Sequence, residues 1–101
     1  MGILVKYLHS EFKQKIIEIT ELSNKINKND NKKILKMMKE HIKEIEERYD
    51  NKDEHWTIET CDLIVLSYEL LLLEKKDIDD IFNQCLPRFD IKLKRLAENV
   101  C

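Results

Sequence analysis

Apolar residues return every three or four positions along most of the chain. Leu4, Leu8, Phe12, Ile16, Ile19, Leu22 and Ile26 fall on one helical face, which predicts a first helix from residue 3 to about 28. The polar run NKNDNKK, 27–33, breaks that pattern, and Asp30 or Asn31 is placed to cap the next helix. This second helix is predicted over about 32–48, with Ile34, Leu35, Met38, Ile42, Ile45 and Tyr49 on its apolar face. The stretch DNKDE, 50–54, is the next loop, with Asp53 as its candidate cap.

The third segment, about 54–74, differs in kind. Ile58, Leu63, Ile64, Val65, Leu66 and Leu70 to Leu73 surround it almost completely. A helix apolar on nearly every side is expected at the centre of a bundle or in a subunit interface. After KKD, 75–77, with Asp77 as cap, Ile78, Phe82, Cys85, Phe89, Leu93, Leu96 and Val100 mark one face of a fourth helix. Pro87 falls inside it and is expected to kink or split it, because proline removes a backbone donor and crowds the preceding turn. One glycine and one proline in 101 residues leave few tight turns, which disfavours a β fold. The expectation is a single all-α domain over 1–101, a four-helix bundle with a kinked or split last helix.

Composition narrows the function. Charged residues make up 38% of the chain, yet the net charge is only −2 and the signs are interspersed. No basic face stands out, so no duplex nucleic acid is expected as a partner. Cys61, Cys85 and Cys101 lack CxxC spacing, which disfavours a disulfide framework or structural zinc and predicts a reducing, cytoplasmic setting. The apolar run in MGILVKYLH is too short for a signal peptide, and the leucine run at 70–73 is bounded by Glu69 and Glu74, so no membrane span is expected.

The acids carry the candidate chemistry. Glu59 and Asp62, three apart, project from one face of the greasy third helix, and Glu69 returns seven residues later to nearly the same face. On the second helix Glu40, Glu44 and Glu47 form a stripe, with His41 between that stripe and the apolar face. Two antiparallel helices joined by a short loop then offer His41, Glu44, Glu59 and Asp62 to one spot. Such a cluster repels itself unless a hard divalent cation is present, and oxygen ligands suit magnesium or manganese. The bland alternative is solvated acids at a helix N-terminus, where the dipole favours them. Glu18 and Glu21 on the first helix read as ordinary surface acids.

Glu40-His41-Ile42-Lys43-Glu44 followed by Glu59-Thr60-Cys61-Asp62 resembles the Glu-Glu-x-x-Glu and Glu-x-x-Asp elements of the MazG-like all-α nucleoside triphosphate pyrophosphohydrolases. EIEE after the first element, and DLIVLSYELLLLEKKDIDDIF after the second, are similar to that family's helix layout. The likeness covers about residues 34–96. It implies hydrolysis of a nucleoside triphosphate to monophosphate and pyrophosphate, with Mg2+ or Mn2+ as cofactor and a homodimer or homotetramer as the assembly. It implies Glu44, Glu59 and Asp62 as metal ligands, with Glu40 a further ligand or a water-orienting base. Arg88 and Lys92 occupy the region where the family places basic residues, and Trp56, one turn before Glu59, is a candidate for stacking on a base. His41 departs from the pattern by replacing the second glutamate. It is a ligand better matched to manganese than to magnesium, or a core-edge histidine bonded to a neighbouring acid. The alternative to an enzyme is a catalytically impaired or non-catalytic helical interaction module.

Overall fold

The computed structural model describes residues 9–100. They form four helices: α1 (Ser10–Ile26), α2 (Asn31–Asp50), α3 (Trp56–Leu73) and α4 (Ile78–Val100). The all-α expectation holds, and no strand occurs among the described residues. Leu4 and Leu8 of the predicted first helix lie outside the described residues.

The sequence supplies three sharp turns without glycine. At each, a lysine takes the left-handed conformation just past the helix end: Lys28 (φ 58°), Lys52 (φ 57°) and Lys75 (φ 59°). Paired backbone hydrogen bonds close each turn. Asn29 and Lys28 donate to Asn24 and Lys25, Asp53 and Lys52 to Arg48 and Tyr49, and Lys76 and Lys75 to Leu71 and Leu72. This is the Schellman arrangement, which usually employs glycine at the left-handed position. The lysine charge at a helix C-terminus offsets part of that conformational cost. The starts are capped by acids. Asp30 accepts from the N–H groups of Lys32 and Lys33, and Asp77 accepts from Asp80. Asp53 sits two residues before the N-cap, His55, and not at it: it accepts from the His55 N–H and takes Arg48 Nη1 at 2.9 Å, stapling the loop to the end of α2.

Helix α3 is central and packs on each of the other three, whereas α1 and α2 do not pack on each other. Helix α2 runs antiparallel to α3, with Asn31 Nδ2 on Glu74 at one end and Arg48 beside Glu59 at the other. Lys13 pins the start of α1 to the α3–α4 turn through Asp79 at 2.7 Å and Asp77 at 3.3 Å. The Asp79 carboxylate holds the Lys13 ammonium above its usual value. The Asp80 N–H, and after it Lys13, holds the Asp77 carboxyl below its own.

The core is thin. Among the described residues only Ile16, Ile34, Leu66 and Ile78 are buried apolar side chains. On α1 the buried seam is Ile16, Thr20 and Asn24, while Phe12, Ile19, Leu22 and Ile26 are exposed. The third helix is central, as expected, yet its buried residues are Glu59, Leu66 and Glu69, and Ile58 and Ile64 remain exposed. Helix α4 continues unbroken through Pro87, so the chain does not split there. Every residue from Leu86 to Val100 is exposed, including Phe89, Leu93 and Leu96. The radius of gyration, 16.3 Å, exceeds the roughly 13 Å of a compact 100-residue domain. No helix of the described residues is long and apolar enough to cross a membrane.

Candidate metal centre

The facing sides of α2 and α3 are polar where they meet near the α2–α3 loop. His41, Glu44 and Arg48 recur at helical spacing on α2 and are half-buried, and Glu59 on α3 is buried against them. One ligating atom from each of His41, Glu44 and Glu59 lies within 4.8 Å of the other two. His41 Nε2 stands 3.5 Å from Glu59 Oε2 and 3.8 Å from Asp62 Oδ2. The structure thus brings together four residues singled out from sequence: His41, Glu44, Glu59 and Asp62.

The imidazole is oriented by its other nitrogen. His41 Nδ1 lies 2.8 Å from the Met37 carbonyl one turn back, a distance at which it donates. In the neutral ring this leaves the Nε2 lone pair toward the carboxylates, the arrangement seen when a histidine ligates a metal through one nitrogen and is braced by a carbonyl at the other. In the protonated ring the same geometry makes Nε2–H a cationic neighbour of Glu59 and Asp62.

Two further groups surround Glu59 that sequence reasoning did not assign. Arg48 Nε is 3.8 Å, and His55 Nε2 3.6 Å, from Glu59 Oε1. The signals were present, since Arg48 is seven residues past His41 and His55 is four before Glu59. None of the three cationic or imidazole neighbours of Glu59 comes within hydrogen-bonding distance, and its side chain makes no hydrogen bond among the described residues. A buried carboxylate so loosely held keeps lone pairs free for a further partner. The donor set of two carboxylates and an imidazole, with Asp62 adjacent, could hold a metal ion.

The other candidates fall elsewhere. Glu40 is exposed, one turn before Glu44 and outside the cluster. Trp56 packs edge-to-face on Tyr49, ring centroids 5.5 Å apart, and so closes the mouth of the α2–α3 hairpin. Arg88 and Lys92 lie on the exposed half of α4, in a shallow groove lined only by α4 residues.

Beside the cluster, the gap between α1 and α2 forms a cavity of about 370 Å³ with α3 as its floor. Ile19 and Ser23 wall it on α1, Met37 and His41 on α2, and Asp62, Val65, Leu66 and Glu69 lie on α3. His41 and Asp62 therefore belong to both the cluster and the cavity. No family profile, characterised protein or solved structure matches the chain.

Proposed function

We propose that the chain is a divalent-metal-dependent nucleotide pyrophosphohydrolase, converting a nucleoside or deoxynucleoside triphosphate and water to the monophosphate and pyrophosphate. The observation that carries this reading is the convergence of His41, Glu44 and Glu59 from two facing helices onto one point. Their spacing in the chain is that of the MazG-like resemblance.

In this reading Glu44, Glu59 and Asp62, with His41, hold Mg2+ or Mn2+. When bound, the ion supplies a positive bridge to phosphate oxygens and a water of lowered pKa. The protein's own groups do the rest. Met37 fixes the His41 ring through Nδ1. Arg48 and His55 stand 3.8 and 3.6 Å from one Glu59 oxygen while the other faces His41. Glu40, at the solvent edge, and Glu44 are the acceptors for the proton of the attacking water.

The assembly proposed is a homodimer or a pair of dimers. Its support is the exposed apolar side chains of α1 and the unpacked far half of α4, neither of which the other described residues cover. The roles of Arg88 and Lys92 in phosphate binding belong to that assembled form, in which α4 of one copy faces the cleft of another. Light scattering on the purified chain is expected to give at least twice the 12.2 kDa of one copy.

The same exposed faces favour a second reading, a non-catalytic helical interaction module in which Arg48, His41 and His55 merely balance Glu59. Pyrophosphate release from a panel of nucleoside triphosphates, in Mn2+ and in Mg2+, decides between them. Turnover that Asp62→Asn reduces at least a hundredfold supports the enzyme. No release in either metal, together with no calorimetric binding of either ion at millimolar concentration, overturns it.

A further inference from the structure

Glu69 is the feature that the metal cluster leaves unexplained. It is 1% exposed, and its Oε2 has no hydrogen-bond partner among the described residues. A buried polar atom left unsatisfied costs free energy that a native fold normally avoids. Glu69 is not stranded in packed hydrocarbon, however. It forms part of the floor of the cavity between α1 and α2. Ile19, Met37, Val65 and Leu66 give that cavity apolar walls, and Ser23, His41, Asp62 and Glu69 are its polar groups. Its volume of about 370 Å³ lies in the range of small-ligand pockets. Its rim is His41 and Asp62, the residues it shares with the metal centre.

We propose that this cavity receives the base of the nucleotide and that Glu69 selects bases presenting an exocyclic amino group. The inference rests on the pyrophosphohydrolase reading and extends it to the substrate class. A polyphosphate held at the cluster places the remainder of the molecule at the cavity mouth, because His41 and Asp62 face both. The apolar walls suit a flat ring, and the unsatisfied carboxyl oxygen requires an N–H donor. Guanine offers two adjacent donors, its ring N–H and its amino group, to the two carboxyl oxygens, and cytosine and adenine offer an amino group. Uracil and thymine lack the amino group; their one edge donor, the ring N3–H, is flanked by two carbonyl oxygens that a carboxylate repels. A site built to accept a hydrogen bond rejects an analogue lacking the donor strongly, because its own buried group is then left unpaired.

The test is equilibrium binding of non-hydrolysable α,β-methylene triphosphates of the five bases by calorimetry in Mn2+, with the full chain. Wild type is expected to bind the guanine, cytosine and adenine analogues at least tenfold more tightly than those of uracil and thymine. Glu69→Gln is expected to collapse that ratio to about threefold or less while Mn2+ affinity, measured with the metal alone, stays unchanged. Ser23→Leu, which narrows the cavity from the α1 side, is expected to weaken all five analogues with Mn2+ affinity again unchanged. It keeps the proposal testable if Glu69→Gln does not fold by circular dichroism. No base preference in wild type, or a preference that survives Glu69→Gln, overturns the assignment of Glu69 and leaves the hydrolase reading standing. Mn2+ binding without binding of any triphosphate overturns both.

Discussion

Glu59 distinguishes a metal centre from a balanced salt-bridge cluster, and Glu59→Gln separates the two. Glutamine has nearly the same shape, so the change removes charge without leaving a cavity. Without metal the variant loses interactions at 3.5–3.8 Å with His41, His55 and Arg48. It also no longer has to bury a carboxylate. These opposing effects leave the apo stability within about 1 kcal/mol of wild type. With metal the two proteins part. An ion binding only the folded state adds about 2.7 kcal/mol when its concentration is about 100 times Kd, for instance 5 mM Mn2+ against roughly 50 µM. For a domain of this size, about 4–8 °C per kcal/mol converts that to a rise of about 10–20 °C in Tm. Differential scanning fluorimetry or calorimetry at pH 7.5, with and without Mn2+, reads it directly. Wild type is expected to rise by that amount and Glu59→Gln by less than a quarter of it. An equal rise in both proteins, or none in wild type, refutes the placement of the ion.

Three other perturbations test the same geometry. His41→Glu adds a carboxylate at the cluster and is expected to tighten Mg2+ at least tenfold relative to Mn2+ by calorimetry; an unchanged ratio removes His41 from the ligand set. Ile34 is completely buried, and Ile34→Ala is expected to cost about 2–4 kcal/mol in urea unfolding, a large share of the stability of a core with so few buried apolar side chains. Lys13→Met removes the ties to Asp79 and Asp77, at a cost of about 1 kcal/mol, with a pH signature set by the two shifts. Asp77 titrates below its ordinary 3.8 in the fold, so its share is present above that value and lost as the pH falls through the folded one. Lys13 titrates above its ordinary 10.5, so its share is complete below that value and lost only as the pH rises through the folded one. The difference between wild type and variant is therefore expected to be flat from about pH 5 to 10 and to shrink outside it.

Helices α1, α2 and α4 were legible because a 3.6-residue period survives in them, α3 because its apolar run is too long for a strand, and the breaks because polar runs interrupt the pattern. The left-handed lysines were not legible. Nothing local marks Lys28, Lys52 or Lys75 as a substitute for glycine, and the conformation is imposed by the hydrogen bonds that close each turn. The facing of His41, Glu44, Glu59 and Asp62 was readable from period and loop length together. The α1 seam was misjudged for a physical reason. The apolar stripe gives the greasy side of a helix, but packing chose the flank bearing Ile16, Thr20 and Asn24, and left Leu22 and Ile26 outside. The burial of Glu69 was equally hidden, because it depends on how the other helices pack around α3, which only the tertiary arrangement sets. Trp56 could be placed near the cluster by sequence, but its partner Tyr49 lies across the loop, and only the hairpin's closure brings the rings together.

Residues 41 to 62 contain the clustered His41, Glu44 and Glu59 and the exposed Asp62 beside them, and the Arg48–Asp53 staple sits between them. Bringing those groups together closes only a short loop, which costs little chain entropy. The donor set is thus a property of one hairpin, to which neither α1 nor α4 contributes a ligand.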